Sequence, residues 1–362
     1  MYRYYMKIGM VTTQFADTGG VENVVRSISK ELNDENEVHL ITRERAINTE
    51  EFSSEFEKIH VIEGTENYKD FLLKGRKFLK NNQYNFDILH FHNWSPILPA
   101  FGLNKPTILT FHGTTFDVKM SDKEYIGAGL YWVLEEISLN IPDKVTSITQ
   151  AHLRPFHTFK DIEIIRNGVN TEEYKPAENQ KEQFREKWNI QGKGVLIVGK
   201  HVQAKNHSQL IEAVSQVEQE TTLMIPSDGP LRQDLEQKVE KLDVNAEFYG
   251  TVSKEELIEL YQSADLFCLP SKNEGLPLSM LEALSSGLPV LVSDIGDNKE
   301  IIERSRAGKT FSPDNTENLQ KKIVEILESD LDQKSENARA FAEELDWKNI
   351  SFQYQQLYRE MM

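Results

Sequence analysis

Short apolar, β-branched runs alternate with longer stretches of helical periodicity along the chain. The runs predict strands at 7–12, 37–42, 59–62, 86–90, 107–111, 144–147 and 162–165, then at 194–199, 222–225, 246–249, 266–269 and 290–293. Between them, apolar residues returning every three or four positions predict helices near 21–32, 68–81, 125–139, 208–217, 231–241, 254–263 and 278–286. Strands separated by helices pair in parallel through crossover connections, so both halves predict an α/β architecture. A polar stretch at 170–183, with Pro176 inside it, interrupts the alternation and sets the domain boundary: residues 1–170 and 171–346 each carry one sheet.

Composition changes this picture in three ways. At 362 residues and 39% apolar, the chain is long enough for two domains with separate cores. The net charge of -17 disfavours nucleic acid as a partner, since phosphate backbones are read by lysine and arginine. No apolar run approaches the roughly 20 residues of a membrane span, and no leader segment is read at the start. The single cysteine, Cys268, fits a reducing, cytoplasmic setting.

In doubly wound sheets ligands sit beyond the carboxyl ends of the strands, which selects the loops to inspect. The loop Asp17-Thr18-Gly19-Gly20-Val21-Glu22 feeds straight into a helix, a possible anion site or simply a flexible helix start. His112 and Gly113 follow the 107–111 strand. Gly199, Lys200 and Lys205 follow the 194–199 strand, where two lysines can supply fixed positive charge to a diphosphate; solvated surface lysines are the plain alternative. A phosphate-loop reading of Gly194–His201 fails, because Val195-Leu196-Ile197-Val198 must be strand and His201 stands where a metal-binding hydroxyl belongs. The richest stretch runs from Pro270 to Pro289: Glu274, Gly275, Leu276 and Pro277 lie between a strand and a helix, with Glu282 farther along that helix. Carboxylates accept paired hydrogen bonds from vicinal hydroxyls, so Glu274 and Glu282 suit a hexose and a ribose; a dipole-matching Glu274 and a surface Glu282 are the plain alternative.

These pieces, in order and spacing, resemble the retaining glycosyltransferases of family 4, with the GT-B fold. The matching residues are Gly19-Gly20-Val21-Glu22, His112-Gly113, Ile164-Ile165-Arg166-Asn167-Gly168-Val169-Asn170, Gly199-Lys200 with Lys205, Ser227-Asp228-Gly229-Pro230, Tyr249-Gly250 and the E-x7-E pair Glu274 and Glu282. The resemblance implies two Rossmann-like domains facing a central cleft, the first for the acceptor and the second for the donor, with helix 347–362 packing back on the first. It also implies that Gly19 and Gly20 lie by donor phosphate and acceptor, that His112 meets the donor sugar, and that Lys200 and Lys205 bind the diphosphate. Glu274 would hold sugar hydroxyls and Glu282 the ribose, with Asn167, Gly229, Tyr249, Gly250, Gly275, Leu276 and Pro277 completing the donor site. Lys200 stands where many relatives carry arginine, and Gly296-Asp297 where many show a second glycine. The implied reaction is metal-independent transfer of a hexose or N-acetylhexosamine from a UDP- or GDP-sugar to a glycan, lipid-linked or small-molecule acceptor, with no cofactor. A sugar-nucleotide epimerase and a non-catalytic sugar-nucleotide sensor share the fold.

One further pattern bears on the acceptor. At 100° per residue, segment 68–80 gathers Phe71, Leu72, Gly75, Phe78 and Leu79 on one face and Lys69, Arg76, Lys77 and Lys80 on the other. Such a basic strip suits the inner face of an anionic membrane, or is a solvated helix face.

Overall fold

In a computed structural model of the chain, the structure describes residues 5–362 apart from 14, 16–18, 45–51, 53, 122–123, 154–155, 157–159 and 178. Contacts divide the chain into two compact units, Met1–Asn167 with Trp347–Met362, and Gly168–Asp346. Each is a Rossmann-like domain around a parallel sheet.

The strands of the first unit are β1 (Lys7–Val11), β2 (Glu37–Arg43), β3 (Lys58–Ile62), β4 (Ile88–His92), β5 (Thr107–Phe111), β6 (Lys144–Ser147) and β7 (Ile162–Ile164). Their order is β3-β2-β1-β4-β5-β6-β7, so the winding reverses between β1 and β4. Successive side chains alternate between faces. Leu89, Phe91, Leu109 and Phe111 therefore enter one apolar core, with Phe71, Leu79 and Leu139 packed there. His90, His92, Thr110 and His112 are turned to the other face. The terminal helix Trp347–Glu360 closes over it: Tyr358 Oη lies 2.7 Å from His90 Nδ1, and Tyr354 Oη 3.2 Å from Thr110 Oγ1.

The second unit contains β8 (Lys193–Leu196), β9 (Thr221–Pro226), β10 (Ala246–Gly250), β11 (Leu266–Leu269), β12 (Val290–Ser293) and β13 (Gly308–Phe311), ordered β10-β9-β8-β11-β12-β13. Its reversal falls between β8 and β11. Val195, Ile197, Leu223, Ile225, Leu266 and Cys268 form the buried centre, against Leu210 and Ile323 from flanking helices. Asp265, at the foot of β11, accepts from Lys181 Nζ at 2.9 Å, Arg185 Nη1 at 3.0 Å and the Gly194 amide at 2.9 Å, joining three elements at one carboxylate.

Three differences from the sequence pattern matter. The fourth strand begins at Ile88 and runs to His92, because the Phe86 amide closes a turn onto Gln83 and the Asp87 carboxylate takes the Lys7 amide at 2.8 Å. β13 was not expected from the pattern. Gly308 opens it, and any Cβ there would collide with the Val290 carbonyl, so glycine permits the close pairing. The helix at 68–81 is interrupted by a π turn, Phe71–Gly75, between Tyr68–Asp70 and Arg76–Asn82. The two faces survive it: Phe71, Gly75 and Leu79 are buried, and Lys69, Lys77 and Lys80 are exposed.

Candidate active site

The reversal of strand order in the second unit brings the loops after β8 and β11 side by side, the place where this architecture binds ligands. The Lys272 amide donates to the Ala204 carbonyl at 2.8 Å and ties the two loops directly. Lys205 then reaches Glu274, and the two form an ion pair with side chains 24% and 13% exposed. Gly199 makes room for this: a Cβ there would press on the Lys205 stem at 3.2 Å. Sequence reading gave Lys205 to a diphosphate and Glu274 to a sugar; the structure adds that the two touch each other. A lysine has three donors, so one can go to Glu274 and the others to a phosphate. Lys200 is exposed and makes no ion pair among the described residues. Gly275 is half-buried, Leu276 and Pro277 are buried, and the helix Leu278–Ser285 starts directly after them.

Glu282 lies one turn into that helix and is held by tyrosines from elsewhere in the unit. Its Oε2 accepts from Tyr261 Oη at 2.9 Å, and the Tyr174 hydroxyl faces the same carboxylate and favours its charged form. Burial pushes the carboxyl above the usual range, and the two hydroxyls offset part of that. Neither tyrosine was legible as a site residue, because each approaches from a different helix or loop. The remaining donor-site candidates of this unit have visible packing roles. Gly229 lies so close to the His201 backbone that a Cβ would stand 2.7 Å from it. Gly250 adopts φ 71° and accepts from the Ser227 amide, and Tyr249 donates its hydroxyl to the Trp188 carbonyl at 2.9 Å.

In the first unit, Gly19 and Gly20 open the helix Gly20–Asn33; Asp17 and Thr18 of the same loop lie outside the described residues. The helix end already carries a carboxylate. Glu22 is buried, folds back onto its own amide, and fills the space where a Cβ of Gly19 would stand. Burial raises its pKa, and the backbone bond opposes that rise. The anion-site reading of this loop therefore competes with a built-in counter-charge. A Cβ at Gly20 would meet open space. Asn167 is buried just beyond β7.

His112 follows β5, its amide bonded to Asn93 Oδ1 at 3.3 Å. Its Nε2 lies 3.0 Å from Nδ1 of His92, a residue the pattern missed because it placed the strand end at His90. Desolvation holds the His112 pKa down to about 3 and that of His92 well below the ordinary value, so both rings are neutral. The His-x-His spacing at 90 and 92, on one face of a strand beside His112, was the available signal.

Among the described residues no group of three or more His, Cys, Asp or Glu is placed to hold a metal, and no helix is long and apolar enough to cross a membrane. Asp330, in the acidic segment Asp330-Leu331-Asp332, caps the helix Leu331–Glu344, accepting from the Gln333 amide at 3.0 Å.

Two doubly wound parallel sheets, each with ligand-side loops at its reversal point, define a protein of the GT-B type. Residues 18–173 match the model of Glycosyltransferase Family 4 and residues 179–344 that of Glycosyl transferases group 1, and the chain belongs to this family of glycosyltransferases. Sulfoquinovosyl transferase SQD2 of Arabidopsis thaliana is 30% identical over 193 residues, 52% of this chain and 38% of that protein. The uncharacterized glycosyltransferase MJ1607 of Methanocaldococcus jannaschii is 28% identical over 265 residues, 67% of this chain and 66% of its own length. The chain thus spans less than two thirds of these two relatives. Among solved structures, Alr3699/HepE of Anabaena, in complex with UDP, superposes with a TM-score of 0.84 at 17% identity, covering 98% of this chain and 100% of that one.

Proposed function

We propose that this glycosyltransferase moves a hexose or N-acetylhexosamine from a UDP- or GDP-sugar to a glycan, lipid-linked or small-molecule acceptor, with retention at the anomeric carbon and without a metal or other cofactor. The observation that carries the reading is the joining of Lys205 and Glu274 at the β8/β11 reversal, a cation and a hydroxyl acceptor in contact at the ligand end of the sheet. In the proposed reaction the bond from the anomeric carbon to the leaving phosphate oxygen breaks while the acceptor oxygen attacks from the same face. The acceptor's proton passes to a leaving-phosphate oxygen, and the products are the glycoside and the nucleoside diphosphate. Lys200 and Lys205 stabilise charge growing on that phosphate, a role typically worth about 3 kcal/mol per oriented group. Glu274 fixes sugar hydroxyls, Glu282 the ribose, and His112 in the first unit contacts the donor sugar. Because Tyr261 and Tyr174 hold the Glu282 carboxylate, a ribose would meet a group already oriented.

A nucleotide-sugar donor is supported by the neighbour Alr3699/HepE, which has been solved with UDP and with UDP-glucose. A cytoplasmic setting accords with the lone, buried Cys268. Contact with an anionic membrane surface through Lys69, Arg76, Lys77 and Lys80 would bring the enzyme to a lipid-linked acceptor. A thermal-shift panel of UDP-glucose, UDP-N-acetylglucosamine and GDP-mannose tests the donor reading. A ligand at a hundred times its dissociation constant adds about 2.7 kcal/mol of stability. One member is expected to raise the melting temperature and then to support transfer. Indifference to all three would leave the donor assignment without support.

A further inference from the structure

The buried face of the first sheet carries an imidazole pair whose protons can be counted. His92 is 1% exposed; its Nδ1 faces His112 Nε2 at 3.0 Å, and among the described residues its Nε2 has no hydrogen-bond partner. The rings lie nearly parallel, with centroids 5.3 Å apart and planes at 23°, a separation that suits an edge-to-edge N–H···N bond. His90 closes the other side of His92 at 4.2 Å between centroids, but its own nitrogens are taken by Tyr358 and Thr110. Each neutral ring bears one proton, and one proton lies in the shared bond. If His112 Nε2–H were the donor, the His92 proton would move to Nε2, a buried N–H with no acceptor. If His92 Nδ1–H is the donor, only a bare lone pair is left unpartnered there. Orphaned buried N–H groups are the rarer defect, so the second arrangement is favoured.

We propose that His92 is a positioning residue for the transfer reaction: its Nδ1–H donates to His112 Nε2, which keeps the His112 proton on Nδ1 and offers that N–H to an oxygen of the donor. The donor half of this inference rests on the reading of His112 given above. His112 is half-buried as a residue, and its Nδ1 takes no hydrogen bond among the described residues, which leaves that N–H for a ligand. The arrangement makes His112 a fixed donor rather than an acid, and its orientation is set from behind by a side chain that never touches substrate.

The tautomer can be read in the unliganded protein by 15N spectroscopy of histidine-labelled material, with His112 assigned by the signals lost in His112→Gln. Protonated Nδ1 and bare Nε2 at His112 are expected; protonated Nε2 overturns the proposal. His92→Asn keeps an amide N–H near the position of Nδ1, and should retain both the tautomer and kcat/KM within about threefold, whereas His92→Phe fills the space without a donor. The phenylalanine variant should release His112 toward the other tautomer and lower kcat/KM about tenfold, the effect of one lost hydrogen bond. An unchanged tautomer in His92→Phe, or a changed one in His92→Asn, removes His92 as the cause. Kinetics use whichever of UDP-glucose, UDP-N-acetylglucosamine and GDP-mannose binds. If none binds, the donor half falls while the tautomer measurement still decides the positioning half.

Discussion

A single contact, Lys205 with Glu274, separates two ways a lysine can matter. The pair is partly solvated, and such pairs contribute about 1 kcal/mol or less to folding. A lysine aimed at a leaving diphosphate acts on the transition state instead, where its loss costs on the order of a hundredfold in rate. Lys205→Ala is therefore expected to melt within a few degrees of wild type while its turnover falls about a hundredfold, measured by initial rates with the donor found in the panel. Wild-type turnover would remove the loop after β8 from the mechanism. At this scale the charged and glycine positions were legible, because their residue types and their places after strands are local properties. The partners that aim them were not: Tyr174 and Tyr261 on Glu282, and His92 on His112, meet their targets only across elements.

Elements are joined by a few buried polar ties, and Asp265 is the clearest. Burial alone pushes its carboxyl up, but Lys181, the Gly194 amide and Arg185 outweigh burial and hold it below the usual carboxylate range. A folded-state pKa below the unfolded value means stability that is present above the unfolded pKa and lost as pH falls through the folded one. Acid should thus loosen the helix Lys181–Lys187 from β8 and β11. Asp265→Asn should be less stable at pH 7, by about 3 kcal/mol in urea titrations, and should lose less additional stability than wild type as the pH drops below about 4. Parallel acid limbs for the two proteins would show that Asp265 is not the titrating tie. The basic helix is the second case. Arg76 is exposed with the strip but also donates to the Pro99 carbonyl at 3.3 Å and the Phe101 carbonyl at 2.6 Å, so it serves as an internal fastener as well. Lys69, Lys77 and Lys80 are exposed beside it, with Leu73 76% exposed among them. Flotation with anionic and neutral vesicles, repeated with the triple Lys→Glu change at 69, 77 and 80, tests contact with a membrane without disturbing that fastener. Binding only to anionic vesicles, weakened by salt and by the triple change, is expected; equal indifference to both would favour a soluble acceptor.

For the molecule as a whole, the source of positive charge decides the reaction's requirements. Diphosphate departure needs fixed cations or a divalent ion, and the proposed reading assigns the task to Lys200 and Lys205. Turnover is accordingly expected to persist in excess EDTA. Its complete loss, restored by magnesium or manganese, would overturn the metal-free mechanism. The net charge of -17 adds a condition for the membrane test, since an acidic protein approaches an anionic surface only through a local basic face.

The alternation of apolar runs determined by itself that the chain makes parallel sheets with crossover helices, since strand and helix periodicities depend only on neighbours along the chain. The loops that carry Lys200, Lys205, Glu274 and His112 were legible for the same reason: each follows a strand. Tertiary structure decided what local periodicity does not encode. Register moved the end of β4 from His90 to His92 and so brought a second imidazole to His112. A close approach at Gly308 allowed β13, and a π turn rearranged the basic helix. Whether a polar atom is spent inside the fold or left for a ligand depends on which distant elements pack against it. That outcome is set by burial and hydrogen-bond satisfaction across the whole unit, as Glu22 on its own helix end and Tyr249 on the Trp188 carbonyl illustrate.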